Sequence, residues 1–332
     1  MRLIRLAAFA AALALLAAPF ARAAAASAPA AASGPADCPP QPLPYSAEDN
    51  AAGLRDATDA GFLWKASKDG RSVWLYGTIH IAERGWRFPG PRVLAAIKAS
   101  DEVVLELDPI DPDTLSRFQR AIARKPGSPE LAPALAARLR AQMAGACIPA
   151  ALLEGLRPEM RAVTVEVMAG RRLGLQPDYG IDIFLAQLAR QLKKPVRALE
   201  TPELQAALLV SDDPRETART VGDLLDELEA GRAPRILGRL AGDWHAGRLE
   251  DLADYAGWCD CMDTPAQRAD FARLIDARNP PMAARIAEWH AAGRTLFVAV
   301  GSLHMTGPVG LPALLREKGF EVERVDFAAP PK

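Results

Sequence analysis

The sequence predicts an α/β (α+β) fold, in which a central β-sheet is built from two repeated strand–helix–strand halves and carries a large, mainly helical insertion. Three observations predict it. A short apolar segment that ends in Gly, a hydroxyl residue, an aliphatic residue and His occurs twice, at residues 73–81 and 297–305. Each copy is followed by an amphipathic stretch and a second apolar segment. Between the copies, residues 110–290 have apolar positions mostly at helical spacing, so we expect one domain over residues 46–332.

Length and charge exclude several classes of protein. The chain has 332 residues, with 40 Lys+Arg against 41 Asp+Glu and a net charge of −1. Such a chain lacks the excess of positive charge that nucleic-acid binding needs, so we expect no nucleic-acid partner. Charged residues make up 24% of the chain and apolar residues are spread along it, which excludes collagen-like, coiled-coil, disordered and polytopic membrane proteins.

The N-terminus has the three parts of a secretory signal peptide. Arg2 and Arg5 accompany an apolar run of 15 residues, Leu6–Phe20, and Ala-Arg-Ala follows as a cleavage signature. Since a transmembrane helix needs about 20 residues, we expect residues 1–23 to be cleaved; an uncleaved anchor is the alternative. The mature protein is then periplasmic or secreted, without a stable membrane span, and begins with a flexible Ala/Pro-rich leader, residues 24–45.

Export makes the four cysteines candidates for disulfide bonds. They are Cys38, Cys147, Cys259 and Cys261. Because Cys259 and Cys261 are too close in sequence to bridge each other easily, we expect each to reach a distant partner, Cys147 or Cys38. A metal site at the Cys-x-Cys pair is the alternative, although no His or second pair of cysteines is near it in the sequence.

The first copy predicts a strand, a loop, a helix and a second strand. Residues 73–81 end in Gly-Thr-Ile-His-Ile, in which the Gly suits a sharp exit from the strand or a close backbone contact. Gly90 precedes an amphipathic stretch that predicts a helix. The segment Val103–Asp108 then predicts a strand in which Glu106 and Asp108 lie on one face.

The second copy has the same order. Residues 297–305 end in Gly-Ser-Leu-His-Met, an amphipathic stretch follows, and residues 321–326 predict the last strand. Gly90–Asp108 and Pro308–Asp326 each contain 19 residues. Chance similarity is the alternative, but the shared order and spacing favour one unit used twice. Two such halves in one sheet would place a His at each strand end, where ligands bind in open α/β sheets.

The segment between the copies predicts several helices and one short strand. Residues 152–167 and 181–185 have apolar residues at helical spacing, and residues 220–252 contain charged amphipathic segments. Residues 196–200 predict a short strand of the sheet. Asn279 precedes two prolines and is a favourable helix N-cap, so we expect a helix that leads the chain into the second copy.

Two of the four histidines occupy equivalent positions. His80 and His304 end the two matched segments, and we interpret them as a functional pair, although a single His at such a place is more often structural. His245 and His290 lie in charged helical sequence and are expected to be partly exposed. The sequence contains no His-Glu-x-x-His, Gly-x-Ser-x-Gly, P-loop or Rossmann pattern, and Ser302 is a weak candidate nucleophile.

A metal site needs a third protein ligand, and Glu106 is the candidate. We expect its strand to neighbour the strand that ends at His80, and a carboxylate in so apolar a strand is costly to bury unless it is paired or coordinated. As ligands of Mn, Co or Zn, His80, Glu106 and His304 would leave positions open for water. The ion would activate that water. A solvent-facing carboxylate on an edge strand is the alternative. The second copy has Arg324 at the equivalent position.

Taken in order, five short segments resemble the TraB/GumN family, which includes the TraB/PrgY pheromone-shutdown proteins and the Tiki-type metalloproteases. The segments are Leu75–Ile81, Val103–Asp108, Leu199–Thr201, Ala277–Ala283 and Val300–Leu311. The resemblance extends from about Phe62 to Val325. It implies the family's fold, a central β-sheet with two repeated halves and helical insertions.

The resemblance also implies functional residues. The family's two Gly-x-x-His motifs and its glutamate correspond to the motifs ending at His80 and His304 and to Glu106. The family's Arg-Asn pair corresponds to Arg278 and Asn279. It implies catalytic roles for Glu106 and Arg278, and substrate binding by Arg278 and Asn279 through a substrate carboxylate or oxyanion. A helix cap is the alternative role of Asn279.

The sequence therefore predicts an exported metal-dependent hydrolase with a peptide or protein substrate, similar to the Tiki-type metallopeptidases. One alternative is a non-enzymatic module that binds haem or another ligand on the same scaffold. Another is an accessory protein in envelope polysaccharide export, which only the family's name suggests. The natural substrate, the identity of the metal and the oligomeric state are left open by the sequence.

Overall fold

The structure is a computed structural model that describes residues 38–128 and 130–327. A mixed six-stranded sheet with many helices confirms the predicted α/β class. The predicted signal peptide, residues 1–23, and the first part of the predicted leader, residues 24–37, lie outside the described residues. Among the helices of the described ranges, none is both long and apolar enough to cross a membrane.

The sheet consists of strands from both ends of the chain and one strand from the middle. The strands are β1 (Phe62–Lys68), β2 (Arg71–Thr78), β3 (Glu102–Leu105), β4 (Val196–Ala198), β5 (Leu296–Gly301) and β6 (Glu321–Val325). Their order in the sheet is β4-β3-β5-β2-β1-β6. The first four strands in this order are parallel, and β1 is antiparallel to both of its neighbours.

The strands that precede the two repeated histidines lie side by side. β2 and β5 are parallel, with Gly77 opposite Val300 and Thr78 opposite Gly301. Every residue of β5 is buried, as expected for a central strand of a parallel sheet that is covered on both faces. The pairing therefore places the ends of both strands, and the loops that carry the histidines, at one edge of the sheet.

The helices of the described residues precede, connect and follow these strands. They are α1 (Ala47–Asp56), α2 (Pro91–Ala99), α3 (Pro112–Ile122), α4 (Pro133–Gly145), α5 (Ala150–Leu153), α6 (Pro158–Met168), α7 (Ile181–Gln191), α8 (Pro202–Leu209), α9 (Pro214–Glu229), α10 (Arg232–His245), α11 (Leu249–Ala253), α12 (Tyr255–Trp258), α13 (Pro265–Leu274), α14 (Asn279–Ala291) and α15 (Leu311–Glu317). All but α1, α2 and α15 belong to the segment for which the sequence predicted a mainly helical insertion.

Two parallel crossovers start from the central strands and run in opposite directions. The first connects β2 through α2 to β3, and the second connects β5 through α15 to β6. Crossovers that leave adjacent parallel strands in opposite directions create a crevice at the carboxyl ends of those strands. The two segments share the element order that the sequence predicted, and their origin by repetition stays a prediction.

The helical insertion is fixed to the end of β2 by one tryptophan. Trp244, near the end of α10, is 1% exposed, and its indole Nε1 donates a hydrogen bond to the carbonyl of Gly77 at 2.8 Å. The backbone N–H of Gly61 donates to the carbonyl of Trp244 at 3.1 Å. These two bonds place α10 over the crevice at the ends of β2 and β5.

Glycine is required at two positions because the backbones approach closely there. A Cβ atom on Gly77 would lie 2.9 Å from Oγ of Ser302, so β2 and the residue after β5 can touch only without a side chain. A Cβ atom on Gly180 would lie 2.6 Å from the carbonyl oxygen of His80. The Gly of the first Gly-x-x-His motif thus serves the close backbone contact that the sequence suggested.

The described part of the predicted leader contacts the helical insertion. The guanidinium of Arg171 donates to the carbonyl of Pro40, and the hydroxyl of Tyr179 lies 2.6 Å from the N–H of Leu43. Cys38 is disulfide-bonded to Cys147, two residues after the end of α4. Residues 38–45 are therefore attached to the rest of the chain at both of their ends.

The predicted pairing of the other two cysteines is wrong. Cys259 and Cys261 are bonded to each other, with a Cα–Cα distance of 5.0 Å, and neither reaches Cys38 or Cys147. Asp260, between them, has φ +53°, in the left-handed region, and this turn brings the two sulfur atoms together. A bridge between cysteines two residues apart is therefore possible here because the residue between them has a left-handed conformation.

Two further predictions are corrected. His290 is buried rather than partly exposed, because its ring packs against Phe320 with 4.8 Å between the ring centroids. His245 is exposed, as predicted. Asn279 begins α14 but does not cap it, since the N-cap position is Arg278 and no side chain makes a capping hydrogen bond there. The side chain of Asn279 is fully buried and has another partner.

The two disulfides are expected to contribute unequally to stability. The Cys38–Cys147 bond closes a loop with a sequence separation of 109, whereas Cys259–Cys261 closes one of 2. In the chain-entropy model a loop of roughly 100 residues is worth about 4–5 kcal/mol, and a very short loop much less. Replacing Cys38 and Cys147 together by Ala should therefore lower the free energy of unfolding, measured in urea, more than the same change at Cys259 and Cys261. Equal losses, or peptide mapping that finds Cys261 bonded to Cys147, would contradict this account.

Candidate active site

The candidate site lies at the carboxyl ends of three parallel strands. β2 ends two residues before His80, β5 leads into a 3₁₀ turn, Ser302–Met305, that contains His304, and β3 ends one residue before Glu106. Because these ends share one edge of the sheet, side chains from distant parts of the chain meet there. The structure brings together all three residues that the sequence proposed as metal ligands.

The two imidazoles approach the same carboxylate oxygen. His80 Nε2 lies 3.9 Å from Oε1 of Glu106, and His304 Nε2 lies 4.0 Å from that atom. His80 is 5% exposed, Glu106 is 2% exposed and His304 is not exposed. The group is therefore a compact, nearly dry cluster in which each charge strongly affects its neighbours.

Two expectations about Glu106 are wrong. The strand predicted at Val103–Asp108 ends at Leu105, so Glu106 follows the strand instead of lying within it. β3 does not neighbour the strand that ends before His80, because β5 lies between β2 and β3. Glu106 nevertheless reaches both histidines from the strand end. Its burial also excludes the alternative of a solvent-facing carboxylate.

His80 is oriented by an acidic residue that the sequence analysis missed. Its Nδ1 lies 2.6 Å from Oδ2 of Asp182, and the other oxygen of that carboxylate accepts a hydrogen bond from Thr78 Oγ1 at 2.8 Å. Burial opposes a charge on His80, but the negative charges of Asp182 and Glu106 outweigh it and raise the pKa of the imidazole. Nε2 of His80 has no hydrogen-bond partner among the described residues. The only sequence signal for Asp182 was an acid in the first turn of the predicted helix after Gly180.

The surroundings of His304 act in the opposite direction and favour the neutral ring. Its Nδ1–H donates a hydrogen bond to Oδ1 of Asn279 at 2.6 Å, so Nε2 carries the lone pair. Nη1 of Arg278 donates to that Nε2 at 3.1 Å. Burial and the adjacent guanidinium lower the pKa of His304 to about 3. Asn279 thus sets the tautomer of His304 and leaves the unprotonated Nε2 as the acceptor for Arg278.

Arg278 is bound on every side. Its Nε and Nη2 donate to both oxygens of Glu200, at 2.8 and 2.5 Å, and Nη2 also donates to Oε2 of Glu106 at 2.5 Å. Nη1 donates to His304 and to the carbonyl of Leu274, at 3.0 Å for the latter. All five N–H groups of the guanidinium therefore have an acceptor. In this arrangement Arg278 positions other site residues and has no free donor for a substrate.

Glu106 is kept ionised by its surroundings. Burial favours the neutral carboxyl group, but Arg278, the two histidines and the backbone N–H of Gly301 outweigh it and lower the pKa of Glu106. Oε1 accepts from Gly301 at 2.8 Å, and Oε2 accepts from the amide of Gln205 at 3.2 Å in addition to Arg278. Gln205, on α8, also donates to Glu200, and the sequence analysis did not find it.

The cluster carries an excess of negative charge. The cluster contains three carboxylates, of Glu106, Glu200 and Asp182, and the single guanidinium of Arg278, and all four side chains are buried. With both imidazoles neutral, two negative charges are left without a counter-charge within the cluster. Buried charge of one sign is costly, so the site favours a cation, either a proton on His80 or a bound ion.

In the described ranges, the candidate ligands are not yet close enough together to bind a metal ion. No three His, Cys, Asp or Glu side chains of residues 38–128 and 130–327 are grouped closely enough to hold an ion as they stand. His80 Nε2 is free, but His304 Nε2 accepts from Arg278. Adding His304 to a ligand set therefore requires that one hydrogen bond to be exchanged.

We expect His304 to stay neutral in mild acid. Its pKa of about 3 lies below that of an unfolded histidine, roughly 6.5, so the unfolded chain gains a proton that the folded chain does not take up. The contribution of His304 to stability is therefore present above about pH 6.5 and is lost as the pH falls towards 3. In a nitrogen NMR titration the ring of His304 should keep its neutral signals at pH 5. An imidazolium signal for His304 at pH 5 would contradict this description.

Comparisons with known proteins agree with the resemblance in the sequence. The chain is 27% identical over 316 residues to "Metalloprotease TIKI1" of Danio rerio, which covers 81% of this chain and 64% of that protein. It is 26% identical over 289 residues to "Uncharacterized protein YbaP" of Escherichia coli (strain K12), which covers 76% of this chain and 97% of that protein. The chain thus spans less than two thirds of the length of the zebrafish relative. No solved structure matched the chain.

The family assignment rests on a match over most of the chain. The pattern of the TraB/PrgY/gumN family matches residues 62–324, a range that begins with β1 and ends within β6. It includes both Gly-x-x-His motifs, Glu106 and the Arg-Asn pair at residues 278 and 279. The chain belongs to the TraB/PrgY/gumN family.

Proposed function

We propose that the chain is a metal-dependent hydrolase that cleaves peptide bonds, with His80, Glu106 and His304 as the ligands of one divalent ion. One observation carries the proposal. The two imidazoles lie with Nε2 within 4.0 Å of the same oxygen of Glu106, and each has its Nδ1 fixed by a separate acceptor. This is the usual arrangement of metal-binding histidines, in which an outer residue orients the ring.

The residues fit a divalent cation in their chemistry. The buried Nε2 of His80 has no partner, and the carboxylates of the cluster outnumber its guanidinium. Two imidazoles and one carboxylate suit Zn, and also Co or Mn, and they leave positions open for water. His304 would join the set by giving up its hydrogen bond from Arg278, which retains its bonds to Glu200 and Glu106.

When bound, such an ion acidifies a water molecule and polarises a carbonyl group. The residues of the chain prepare the site for it. Arg278 keeps Glu106 ionised, Asn279 keeps the lone pair of His304 on Nε2, and Asp182 holds the ring of His80. The catalytic contribution of Arg278 is then one of positioning and charge, in place of the direct substrate contact that the sequence suggested for Arg278 and Asn279.

The similarity to a relative named as a metalloprotease supports a peptide or protein as the substrate. The predicted signal peptide supports a periplasmic or secreted location, and the two disulfides suit an oxidising compartment. We also propose that residues 46–332 act as one domain, since strands from both ends of the chain complete one sheet around the site.

Metal uptake tests the ligand set. We expect the mature protein, after dialysis against Zn, Co or Mn and removal of free ions, to retain about one ion per chain by elemental analysis. His80→Ala and Glu106→Gln should lose that ion and keep the fold, as judged by circular dichroism. His245→Ala is the matched control, because His245 is exposed and lies outside the cluster. Uptake that is the same in all four proteins would refute the ligand set.

Peptide cleavage tests the reaction, and Asp182 tests the role of orientation. With the ion present, the wild-type protein should cleave members of a random peptide library, detected by mass spectrometry. Asp182→Asn should lower the rate by about 10–100-fold, because outer residues of metal sites typically contribute that much. Asp113→Asn, at a carboxylate exposed on α3, should have no effect. Tight haem uptake without any cleavage would instead support the ligand-binding alternative.

A further inference from the structure

A small cavity opens next to His80, on the side of the crevice that the helical insertion covers. Its volume is about 50 Å³, and it lies between the segments that follow β2 and β5. Helices α6, α10 and α11 supply the rest of its wall. The apolar side chains that line it include Val167, Leu237, Leu240, Trp244, Leu252 and Leu303.

The polar groups in the wall already have partners. The hydroxyl of Thr78 donates to Asp182, the hydroxyl of Ser302 donates to the carbonyl of Thr78, and the indole N–H of Trp244 donates to Gly77. Among the described lining residues, Nε2 of His80 is the one buried side-chain nitrogen or oxygen atom without a partner. The part of the cavity wall that the structure describes contains no Lys, Arg, Asp or Glu.

This wall selects an apolar occupant. A polar or charged group placed there would lose its water and find no free hydrogen-bond partner apart from His80, which is costly. An aliphatic group would lose nothing and would bury apolar surface. One water molecule needs roughly 10–15 Å³ of such volume, so the cavity has room for about three to five non-hydrogen atoms. That is the size of a Val or Leu side chain and less than a Phe ring.

We propose that this cavity is the specificity pocket of the site, and that it receives an aliphatic side chain of the peptide substrate next to the bond that is cleaved. The inference rests on the proposed function, because it takes the His80–Glu106–His304 cluster as the reacting centre. Leu237 and Leu240, one turn apart on α10, determine the size of the side chain that fits. The structure thus gives the helical insertion a role in choosing the substrate.

The test uses three peptides that differ at one position, which carries Leu, Phe or Asp. The wild-type protein should cleave the Leu peptide at least tenfold faster in kcat/KM than either of the others, since a few methylene groups in an apolar pocket give 10–200-fold discrimination. Leu240→Ala enlarges the cavity and should shift the Phe-to-Leu ratio towards Phe by about tenfold. Leu240→Met changes the shape at nearly constant volume and is a second variant if Leu240→Ala does not fold.

Leu204→Ala is the matched control, because Leu204 is 47% exposed on α8. An unchanged Phe-to-Leu ratio in folded Leu240→Ala and Leu240→Met would overturn the pocket and leave the proposed hydrolase intact. If the wild-type protein cleaves no peptide, the proposed function fails, and binding then tests the cavity. N-acetyl-leucine amide should shift the methyl NMR signals of Leu237 and Leu240, while N-acetyl-aspartate amide should not. Absence of any leucine-specific shift would overturn the inference as well.

Discussion

The parallel pairing of β2 with β5 is the constraint on which the site depends. The first strand comes from the start of the described chain and the second from its end, and their pairing brings His80 and His304 to one edge of the sheet. The close contact of Gly77 with Ser302 shows how tightly the two strand ends are joined. The rest of the architecture serves this junction, because the crossovers leave it in opposite directions and α10 is hydrogen-bonded to its edge.

Within the site, Arg278 helps to give two similar histidines different pKa values. Its charge helps to keep His304 neutral and Glu106 ionised, while Asp182 favours a proton on His80. Two groups of one chemical type with pKa values pushed apart are typical of sites that move protons. Removal of Arg278 would leave Glu106 and Glu200 buried without a counter-charge, which is among the most destabilising changes available to a protein.

The sequence predicted the parts of the site that depend on local pattern. The repeated Gly-x-x-His segments and a carboxylate within a predicted apolar strand identified His80, His304 and Glu106, and the resemblance added Arg278 and Asn279. It did not find Asp182 or Gln205, because a polar residue in a helix acquires its role only when the helix packs on the sheet. The position of β5 between β2 and β3 depends on crossover direction, and the Cys259–Cys261 bond depends on a left-handed residue between them. Neither property follows from residue type or spacing.

We propose that one ion is held between the two strand ends. Anomalous X-ray diffraction from crystals of the mature protein grown with zinc tests it most directly. We expect one strong peak in contact with Nε2 of His80, Nε2 of His304 and the carboxylate of Glu106, with Arg278 moved off His304 but still bound to Glu200. A peak at other side chains, or no peak in crystals in which Arg278 remains on His304, would contradict it.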